Sequence, residues 1–507
     1  MIDVSNDGYI LDIDYIYGYF AEQAPVNLRL ALLSKGIANN ISGSSSYLEL
    51  GFGQGLTLAI NAATSRGEYY GTDFNPSQVA AARRLMEATG RDIKLFDQSF
   101  EEFARRTDLP QFDIIALHGI WSWVSDDSRA AIVQIAKNNL KPGGILYVSY
   151  NTNPGWSPAT PMRHLLREYA RRAATGSLMQ KAEQSLDFVD SIMQAGARYF
   201  VDNPGLQQRL DRMRASDKTY VLHEYFNENW HPMSFIDISE MLSEAKLSYA
   251  ASANLLDNID SLSIPESARR IIDALPDENL RQMTRDFFVG QQFRRDIFQK
   301  GVRSISGREL REEVNSQSFV LVDALAPPPS KILTSAGEAQ LLEGIYGPVV
   351  QAILSDLNQD ISASSISDRL SGTDISFWQV WEALLVLTGA GWLSPKSDCS
   401  DLPDVIDATR SLNREIVNRS VYSEQIKVLA SHKTAAGISY SRIEQMLMYC
   451  YNRGSEDPCG SVLEMLDAEG EKILSQGDVV EDHDAALVVL GQIWGNMKDT
   501  KLDLVLV

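Results

Sequence analysis

The sequence predicts an α/β fold in which helices cover both faces of a mainly parallel β-sheet. Short apolar runs alternate with helical segments between Tyr47 and Tyr150, and the runs are apolar on both faces. Strands separated by helices of this length are typical of βαβ units, whose parallel strands are buried on both sides. A glycine-rich turn, "GFGQG", follows the first run. Ligands of open α/β sheets bind at such carboxyl ends of strands.

Five strands and three helices can be placed in this part of the chain. The strands are predicted at residues 47–50, 68–73, 92–97, 112–119 and 145–150. The helices are predicted at 56–65, at 75–90, where an Asn-Pro pair starts the helix and a glycine ends it, and at 126–140, with an acidic first turn. We expect "KPGG", which follows the third helix, to form a turn.

Length and composition indicate a globular protein of several domains. A chain of 507 residues favours about two to four domains, and 44% hydrophobic and 22% charged residues are ordinary contents. No apolar segment approaches the roughly 18 residues of a membrane span, and the acidic start lacks the features of a signal peptide. Cys399, Cys450 and Cys459 match no metal or redox spacing. We therefore expect a cytoplasmic protein with free thiols and no membrane insertion.

The charge of the chain limits its partners. A formal net charge of −21 argues against general nucleic-acid binding, because neutralising phosphates requires a basic face. No nucleic-acid partner is predicted. A solvated surface explains the acidic excess, which would also attract a cationic partner. His223, His231 and Glu224 fit no zinc spacing, so no metal is predicted either.

The stretch "ELGFGQG", Glu49 to Gly55, narrows the choice of cofactor. A dinucleotide-binding turn reads G-x-G-x-x-G, but its third glycine would fall on Leu56. A Walker A loop is excluded because no Lys-Ser/Thr pair follows. The remaining pattern, E-x-G-x-G-x-G, resembles motif I of the class I S-adenosylmethionine-dependent methyltransferases. This resemblance implies that Glu49, Gly51, Gly53 and Gly55 bind the cofactor, since glycines let it approach the backbone closely.

Other positions match the same family at the carboxyl ends of the next strands. Asp73 ends the second strand, with Phe74 beside it, where an acidic side chain can accept hydrogen bonds from both ribose hydroxyls. The alternative for Asp73 is a helix N-cap. After the third strand the resemblance places Asp97 at the adenine amino group, with Gln98, Ser99 and Phe100 lining the ring. After the fourth strand it places His118, Gly119 and Trp121 beneath the sulfonium.

Two further stretches, "DYIYGYF" before the first strand and "YNTNPGW" after the fifth, are more specific. They resemble bacterial methyltransferases that carry a methyltransferase regulatory domain, including the rickettsial outer-membrane-protein lysine methyltransferases. "LHEYFNENWHP", "FVGQQFRRDIF" and "VLASHKTAAGISYSRIEQMLM" extend this resemblance in patches over nearly the whole chain. It implies a Rossmann-like seven-stranded sheet and a lysine-containing protein substrate, such as a surface protein. "LHGIW" stands where enzymes that methylate nucleobase amino groups carry Asn/Asp-Pro-Pro-aromatic, so a nucleobase acceptor is not expected.

Aromatic faces suit a lysine acceptor. Burial lowers the pKa of the ammonium, and the faces attract the methylammonium that forms. Tyr15, Tyr17 and Tyr19 alternate, so an extended lid strand would present them on one side. The alternatives are that the aromatic residues only cap the sheet edge, and that His118, a general base by position, only lines the cofactor. The predicted catalytic residues are Tyr17, His118 and Trp156, and the predicted substrate-binding residues are Tyr15, Tyr17, Tyr19, Trp123, Tyr150, Asn151 and Trp156.

We divide the chain into three domains. Residues 1–305 are predicted to form the S-adenosylmethionine-binding domain, with its core at 45–156 and a helical lid or regulatory insertion at 157–300. Residues 306–400 are predicted to form a winged-helix-like middle domain, with "APPPSK" as a linker. Residues 401–507 contain 18 acidic and 10 basic residues and end in "LDLVLV", a predicted closing strand. This mixed C-terminal domain would hold a basic protein segment or a homodimer interface.

Three functions are compatible with these observations. The first is S-adenosylmethionine-dependent methyl transfer to a lysine side-chain nitrogen of a protein. The second is a methyltransferase for a small molecule or a surface polysaccharide. The third is a non-catalytic adaptor that retains the cofactor pocket, and the intact Glu49, Asp73 and Asp97 argue against it.

Overall fold

The central feature of the protein, known from a computed structural model, is one seven-stranded sheet. The structure describes residues 17–227, 229–323, 326–357, 359–475 and 478–505. The strands are β1 (Tyr47–Leu50), β2 (Tyr69–Asp73), β3 (Lys94–Asp97), β4 (Phe112–Leu117), β5 (Leu140–Asn151), β6 (Leu247–Ser252) and β7 (Phe293–Lys300). Their order is β3–β2–β1–β4–β5–β7–β6, and β7 runs antiparallel to both of its neighbours. The predicted Rossmann-like sheet is confirmed.

Strand β5 begins earlier than the sequence predicted. Leu140 pairs with Phe112 and Ile145 pairs with Ile114, so additional residues lie between two paired positions of one strand. Gly143 takes a φ of +79° within this irregularity. The prediction of a separate "KPGG" turn is therefore wrong, because the flexible glycines form a bulge inside the strand.

Five helices cover the two faces of the sheet. They are α1 (Pro25–Ser34), α2 (Leu56–Ala63), α3 (Pro76–Thr89), α4 (Phe100–Ala104) and α5 (Asp126–Asn139). Helices α1, α2 and α3 pack on the face that carries Tyr47 and Tyr147, and α4 and α5 pack on the face that carries Leu48 and Leu50. Asn75 caps α3 by accepting a hydrogen bond from the Ser77 N–H at 3.0 Å. Burial on both faces explains why the strand sequences are continuously apolar.

The insertion after β5 is mostly helical, as predicted. It contains α6 (Thr160–Arg172), α7 (Leu178–Gln194), α8 (Arg198–Val201), α9 (Gly205–Ala215), α10 (Lys218–Phe226), α11 (Phe235–Ser243), α12 (Asp260–Ser263), α13 (Glu266–Asp273) and α14 (Glu278–Val289). Helices α6, α7, α9 and α10 have an apolar cluster of their own, which includes Trp156. Helices α11 and α14 pack against each other beside β6.

The middle part of the chain forms a winged-helix-like unit. Its helices are α15 (Gly307–Asn315), α16 (Glu343–Leu354), α17 (Ala363–Arg369) and α18 (Phe377–Gly389), and its strands are β8 (Ser318–Leu321), β9 (Lys331–Thr334), β10 (Gly337–Gln340), β11 (Ile361–Ser362) and β12 (Leu393–Pro395). Strand β8 pairs with β11 and β12. The linker signal "APPPSK" lies inside this unit, where it connects β8 to β9.

The C-terminal part packs directly on the methyltransferase-like sheet unit. It contains α19 (Pro403–Ser420), β13 (Val428–Ser431), β14 (Ala436–Ser439), α20 (Arg442–Asn452), α21 (Pro458–Ala468), β15 (Leu474–Ser475), β16 (Asp478–Val479) and α22 (His483–Thr500). Helix α19 lies on α2 and α3, where Leu412 and Ile416 share an apolar cluster with Ala59 and Leu85.

The predicted closing strand at the end of the chain is wrong over the part that the structure describes. Leu502–Leu504 form a 3₁₀-helix, and Leu504 is buried. The backbone oxygen of Lys501, just before it, accepts a hydrogen bond from the Tyr440 hydroxyl at 2.7 Å, which ties this segment to the C-terminal unit rather than to a sheet. None of the described helices is long and apolar enough to cross a bilayer.

Candidate functional site

The turn between β1 and α2 requires its three glycines. Gly51, Gly53 and Gly55 have φ values of +71°, +55° and +74°, a region that L-residues rarely adopt. A Cβ at Gly51 would lie 2.5 Å from Ile120 Cδ1, and one at Gly55 would lie 2.7 Å from Ala82 Cβ. The turn is therefore fixed by backbone conformation and by close packing.

Two buried acids lie beside this turn. Asp73 accepts hydrogen bonds from Gly53 N–H at 2.9 Å and from Asn75 N–H at 3.0 Å. Burial raises the pKa of Asp73 to about 6, although these hydrogen bonds oppose the shift. Burial and the neighbouring charge of Asp73 raise the pKa of Glu49 to about 8. Glu49 Oε2 is buried and has no hydrogen-bond partner among the described residues.

The residues predicted to face adenine lie along the next strand edge. Asp97 pairs in register with Asp73, and its side chain is exposed. The Gln98 N–H donates to the Asp73 backbone oxygen at 3.2 Å. The Ser99 hydroxyl caps α4 by accepting from the Glu102 N–H at 3.3 Å, and Phe74 is half-buried next to Asp73. The structure thus brings this group of predicted residues to the edge that carries the glycine turn.

His118 follows β4 and lies in a cluster of aromatic rings. Phe20 stacks on it with ring centroids 3.7 Å apart, and the centroid of Phe293 is 5.7 Å away. His118 Nδ1 lies 2.7 Å from the Tyr147 hydroxyl. We call these four residues the His118 ring cluster. Burial, with a smaller effect from the charge of Arg295, lowers the pKa of His118 to about 3, so the imidazole is neutral at pH 7.

The segment before α1 spans several parts of the site. We call residues 17–24 the N-terminal strap. The Phe20 N–H donates to Thr57 Oγ1, in the first turn of α2, at 3.1 Å. Glu22 forms an ion pair with Arg295 of β7 at 3.0 Å. The strap therefore joins the helix after the glycine turn to the end of the sheet that carries the His118 ring cluster.

The three predicted strap tyrosines do not behave alike. The Tyr19 hydroxyl accepts a hydrogen bond from the Gly437 N–H at 2.5 Å, and its ring lies against that glycine in the C-terminal unit. Burial raises the pKa of Tyr19 well above its ordinary value. Tyr17 is half-buried against the apolar cluster of α2, and Tyr15 lies outside the described residues. Tyr19 thus has a structural contact that accounts for its position.

The predicted acceptor tryptophans form a second aromatic group at the base of the insertion. Trp156 packs edge-to-face on Trp230 at 5.0 Å, and Arg209 lies over its ring at 4.2 Å. Arg163 lies over Trp230 at 4.5 Å and over Trp123 at 5.7 Å. The faces that we expected to be offered to a methylammonium are therefore partly covered by guanidinium groups of the protein itself.

Four other predicted residues lie at or near the ends of β4 and β5. Trp156 Nε1 donates to Asn151 Oδ1 at 3.1 Å, which connects the insertion to the end of β5. The Tyr150 hydroxyl donates to Asp296 at 2.5 Å in the core on the opposite face from Tyr147. Trp121 is fully buried, whereas the N–H of Gly119 donates to Ser149 Oγ at 2.8 Å.

Sequence reasoning missed part of the site, namely Phe20, Glu22, Tyr147, Phe293 and Arg295. Phe20 is the last residue of "DYIYGYF" and Glu22 comes two residues after it, whereas Phe293 and Arg295 lie in "FVGQQFRRDIF". An antiparallel strand beside β5 brings the start of β7 next to the end of β5, where Arg295 pairs with Ser149. Both "DYIYGYF" and "FVGQQFRRDIF" stand out in the sequence, but only the strand order shows that these two stretches meet.

The residues of the glycine turn fit a ligand that combines a nucleoside with an amino acid. The unpartnered, buried Glu49 oxygen and the two Asp carboxylates can accept hydrogen bonds from hydroxyl or amino groups. The glycines leave space that a Cβ would fill. S-adenosylmethionine carries ribose hydroxyls, an adenine amino group and an ammonium group, and so matches this set of acceptors.

Known proteins point to the same chemistry. Residues 48–146 match the family model of a methyltransferase domain, and residues 217–300 match that of a predicted methyltransferase regulatory domain. The uncharacterized protein sll1526 of Synechocystis is 33% identical over 502 residues, which are 98% of each chain. Two solved structures of PKMT2 from Rickettsia typhi, one in complex with AdoHcy, share the fold. The first is 17% identical with a TM-score of 0.71 and covers 97% of this chain and 100% of its own. The structure with AdoHcy is 16% identical with a TM-score of 0.72 and covers 96% of this chain and 98% of its own. The chain therefore belongs to the class I S-adenosylmethionine-dependent methyltransferases that carry a methyltransferase regulatory domain.

Proposed function

We propose that this methyltransferase acts on the side-chain nitrogen of a lysine in a protein. The observation that carries the proposal is the uncharged His118 ring cluster at the carboxyl ends of β4 and β5, next to the helix of the glycine turn. Burial lowers the pKa of His118 and raises that of Tyr147, so neither is charged at pH 7. A lysine that enters beside these rings loses hydration, and this disfavours its ammonium form.

The cofactor would be held by the glycine turn together with Glu49, Asp73 and Asp97. When bound, S-adenosylmethionine would supply a methyl carbon attached to a positively charged sulfur. A nitrogen lone pair can attack this carbon and displace the sulfur. Catalysis of such a displacement depends mainly on the orientation of the nucleophile. The fixed backbone of the glycines and the strap across α2 would supply that orientation and exclude water.

His118 would act as a positioning residue rather than as a general base. A base with a pKa of about 3 removes a proton from an ammonium group only weakly at pH 7. The acceptor ammonium, with a reference pKa of about 10.4 that desolvation lowers, would lose its proton to water. The hydrogen bond of His118 with Tyr147 then keeps both rings in place beside the acceptor.

The predicted aromatic acceptor residues divide into two sets. Tyr150 and Trp156 are enclosed and hydrogen-bonded, so we assign them to the support of the site. Tyr17 and Trp123 are half-buried, and they keep a proposed role at the acceptor surface. The assignment to a protein substrate is supported by the resemblance of "DYIYGYF" and "YNTNPGW" to the rickettsial lysine methyltransferases.

The experiment is to incubate the protein with radiolabelled S-adenosylmethionine and a bacterial lysate. One sample is digested with protease beforehand and another is acetylated on lysine. Label in discrete protein bands that both treatments abolish would support lysine methylation. Label that remains in small-molecule or polysaccharide fractions would instead support the second function that the sequence allowed. An Asp73→Asn variant, which weakens the cofactor site, should abolish most of the label in either case.

A further inference from the structure

The ion pair of Glu22 and Arg295 lies at the edge of the His118 ring cluster. The two side chains are 3.0 Å apart, and they are 23% and 36% exposed. Glu22 follows Phe20 in the strap, and Arg295 lies two residues after Phe293 on β7, on the same face of the strand. Burial raises the pKa of Tyr147, and the charge of Glu22 adds to this shift whereas that of Arg295 opposes it.

This pair is held loosely in comparison with its neighbour. Arg294 on the other face of β7 is 6% exposed and is fixed between Asp286 at 2.6 Å and Asp296 at 2.7 Å. Partly exposed pairs such as Glu22 and Arg295 contribute little to stability, because water screens their attraction. Arg295 also lies over the Phe293 ring at 5.5 Å, a contact that it can keep without Glu22. A competing cation can therefore take the carboxylate at small cost.

The surroundings of Glu22 favour such a competitor. Arg295 supplies the positive charge opposite Glu22, and the nearby phenols Tyr19 and Tyr147 are un-ionised because burial raises their pKa values. His118 is neutral as well. When Arg295 turns to solvent, Glu22 is left as a carboxylate facing un-ionised rings. Such a carboxylate attracts an ammonium group more strongly than one in water does.

We propose that Glu22 is the carboxylate that binds the cationic nitrogen of the acceptor, and that this cation takes the place of Arg295. The inference rests on the proposed amine acceptor. In the reaction, the bound ammonium first loses one proton to water. Its lone pair then forms the N–C bond while the S–C bond breaks and leaves its electrons on sulfur. The positive charge moves to the nitrogen, where Glu22 stabilises the product cation.

The test uses a probe of known structure, Nα-acetyl-lysine methylamide, in the presence of AdoHcy. Its binding to the full chain is measured by saturation-transfer NMR titration. Glu22→Gln should weaken binding at least about tenfold, because it removes a charge-assisted hydrogen bond. Arg295→Gln should strengthen binding by about two- to fivefold, because the competitor is removed. Weaker probe binding by Glu22→Gln together with stronger probe binding by Arg295→Gln would show that the amine and Arg295 compete for Glu22.

A purely structural ion pair would give a different pattern. Loss of either partner would then loosen the strap, so both variants would weaken binding, and that result would overturn the proposal. Failure of the probe to bind any variant, Arg295→Gln included, would also overturn it. Arg303→Gln, which breaks the exposed pair with Glu309 at 2.8 Å, is the matched control and should leave binding unchanged.

Two further measurements separate the possible failures. Glu22→Asp keeps the charge on a shorter side chain, so it should bind the probe more weakly than the unaltered protein but more tightly than Glu22→Gln, provided that all three melt at similar temperatures. Nα-acetyl-norleucine methylamide, which lacks the amine, should not distinguish the variants. If probe binding depends on Glu22 while lysates show no lysine labelling, the protein-lysine function fails and the exchange stands.

Discussion

The Asp73 carboxylate accepts a hydrogen bond from the Gly53 N–H at 2.9 Å, so the acid at the end of β2 is joined directly to the glycine turn after β1. The second oxygen accepts from the Asn75 N–H at the start of α3. The cap of α3 is Asn75, so Asp73 is not the helix N-cap that the sequence offered as its alternative role. Asp73 organises the local backbone through these two hydrogen bonds, and we propose that its remaining lone pairs bind the ribose hydroxyls of the cofactor.

Asp73→Asn should weaken the binding of AdoHcy by at least about tenfold, because each hydrogen bond to a charged acceptor contributes about 1.5–3 kcal/mol. The amide also presents an N–H₂ group where a backbone N–H now donates. Isothermal titration calorimetry measures the effect. Asp97→Asn is the matched control, since its exposed carboxylate should give a smaller loss. Equal losses for the two variants would contradict this assignment of roles.

Glu49→Gln should stabilise the ligand-free protein at pH 8 and yet weaken cofactor binding. The folded pKa of Glu49, about 8, lies above its unfolded value near 4.3, so the folded state binds the extra proton between these limits. Stability then falls as pH rises from about 4.3 to 8, by up to a few kcal/mol. Glu49→Gln has no titrating group at this position, so it does not lose stability in this way. Thermal melts from pH 5 to pH 8 should show its advantage growing with pH, and a constant difference would refute the argument.

The sequence predicted the sheet and the glycine turn after β1 well, for physical reasons that are local. The strands are short apolar runs, and Glu49 to Gly55 carry their signal in consecutive residues. The glycine- and proline-rich segments "KPGG" and "APPPSK" were harder to interpret, because the strand pairing around each of them is not visible in the sequence. The bulge at Gly143 is stabilised by pairing with β4, and "APPPSK" lies within a unit because β8 pairs with the distant β12.

The acceptor side was harder to predict because its contacts are long-range. Phe20 meets His118, and Glu22 meets Arg295, only because the strap crosses the sheet and because β7 inserts beside β5. The sequence motifs indicated aromatic residues on this side, but they did not indicate the orientation of each ring. Tyr150 and Tyr147 differ by an odd number of positions on one strand, so their side chains lie on opposite faces. Only the register of β5 shows which of these two tyrosines lies beside His118.

Gly55→Ala should destabilise the protein more than Gly119→Ala. Both glycines have positive φ, +74° and +65°, so each substitution introduces backbone strain of about 1–2 kcal/mol. A Cβ at Gly55 would also lie 2.7 Å from the Ala82 Cβ, whereas one at Gly119 meets nothing within 4 Å. Denaturant unfolding should show an additional loss of about 1–3 kcal/mol for Gly55→Ala, the usual cost of overpacking. Similar denaturation midpoints for the two variants would show that α3, which carries Ala82, moves away from the new Cβ without a loss of stability.

His118 should remain unprotonated down to about pH 4, which can be followed through its imidazole resonances in an NMR titration. Burial lowers its pKa to about 3, whereas the unfolded chain titrates near 6.5, so the unfolded state binds the proton first. Stability should therefore fall as the pH drops below about 6.5, and His118→Gln should reduce this slope. The exposed His164 and His483 serve as internal controls. Once an acceptor is known, the variant should retain the shape of the rate–pH profile with less than about a tenfold loss of rate, since general bases contribute about 10²–10⁴-fold. A titration of His118 near pH 6.5, or the loss of the acidic limb of the rate–pH profile in the variant, would restore His118 as the general base. The proton of the acceptor ammonium would then pass to the imidazole instead of to water.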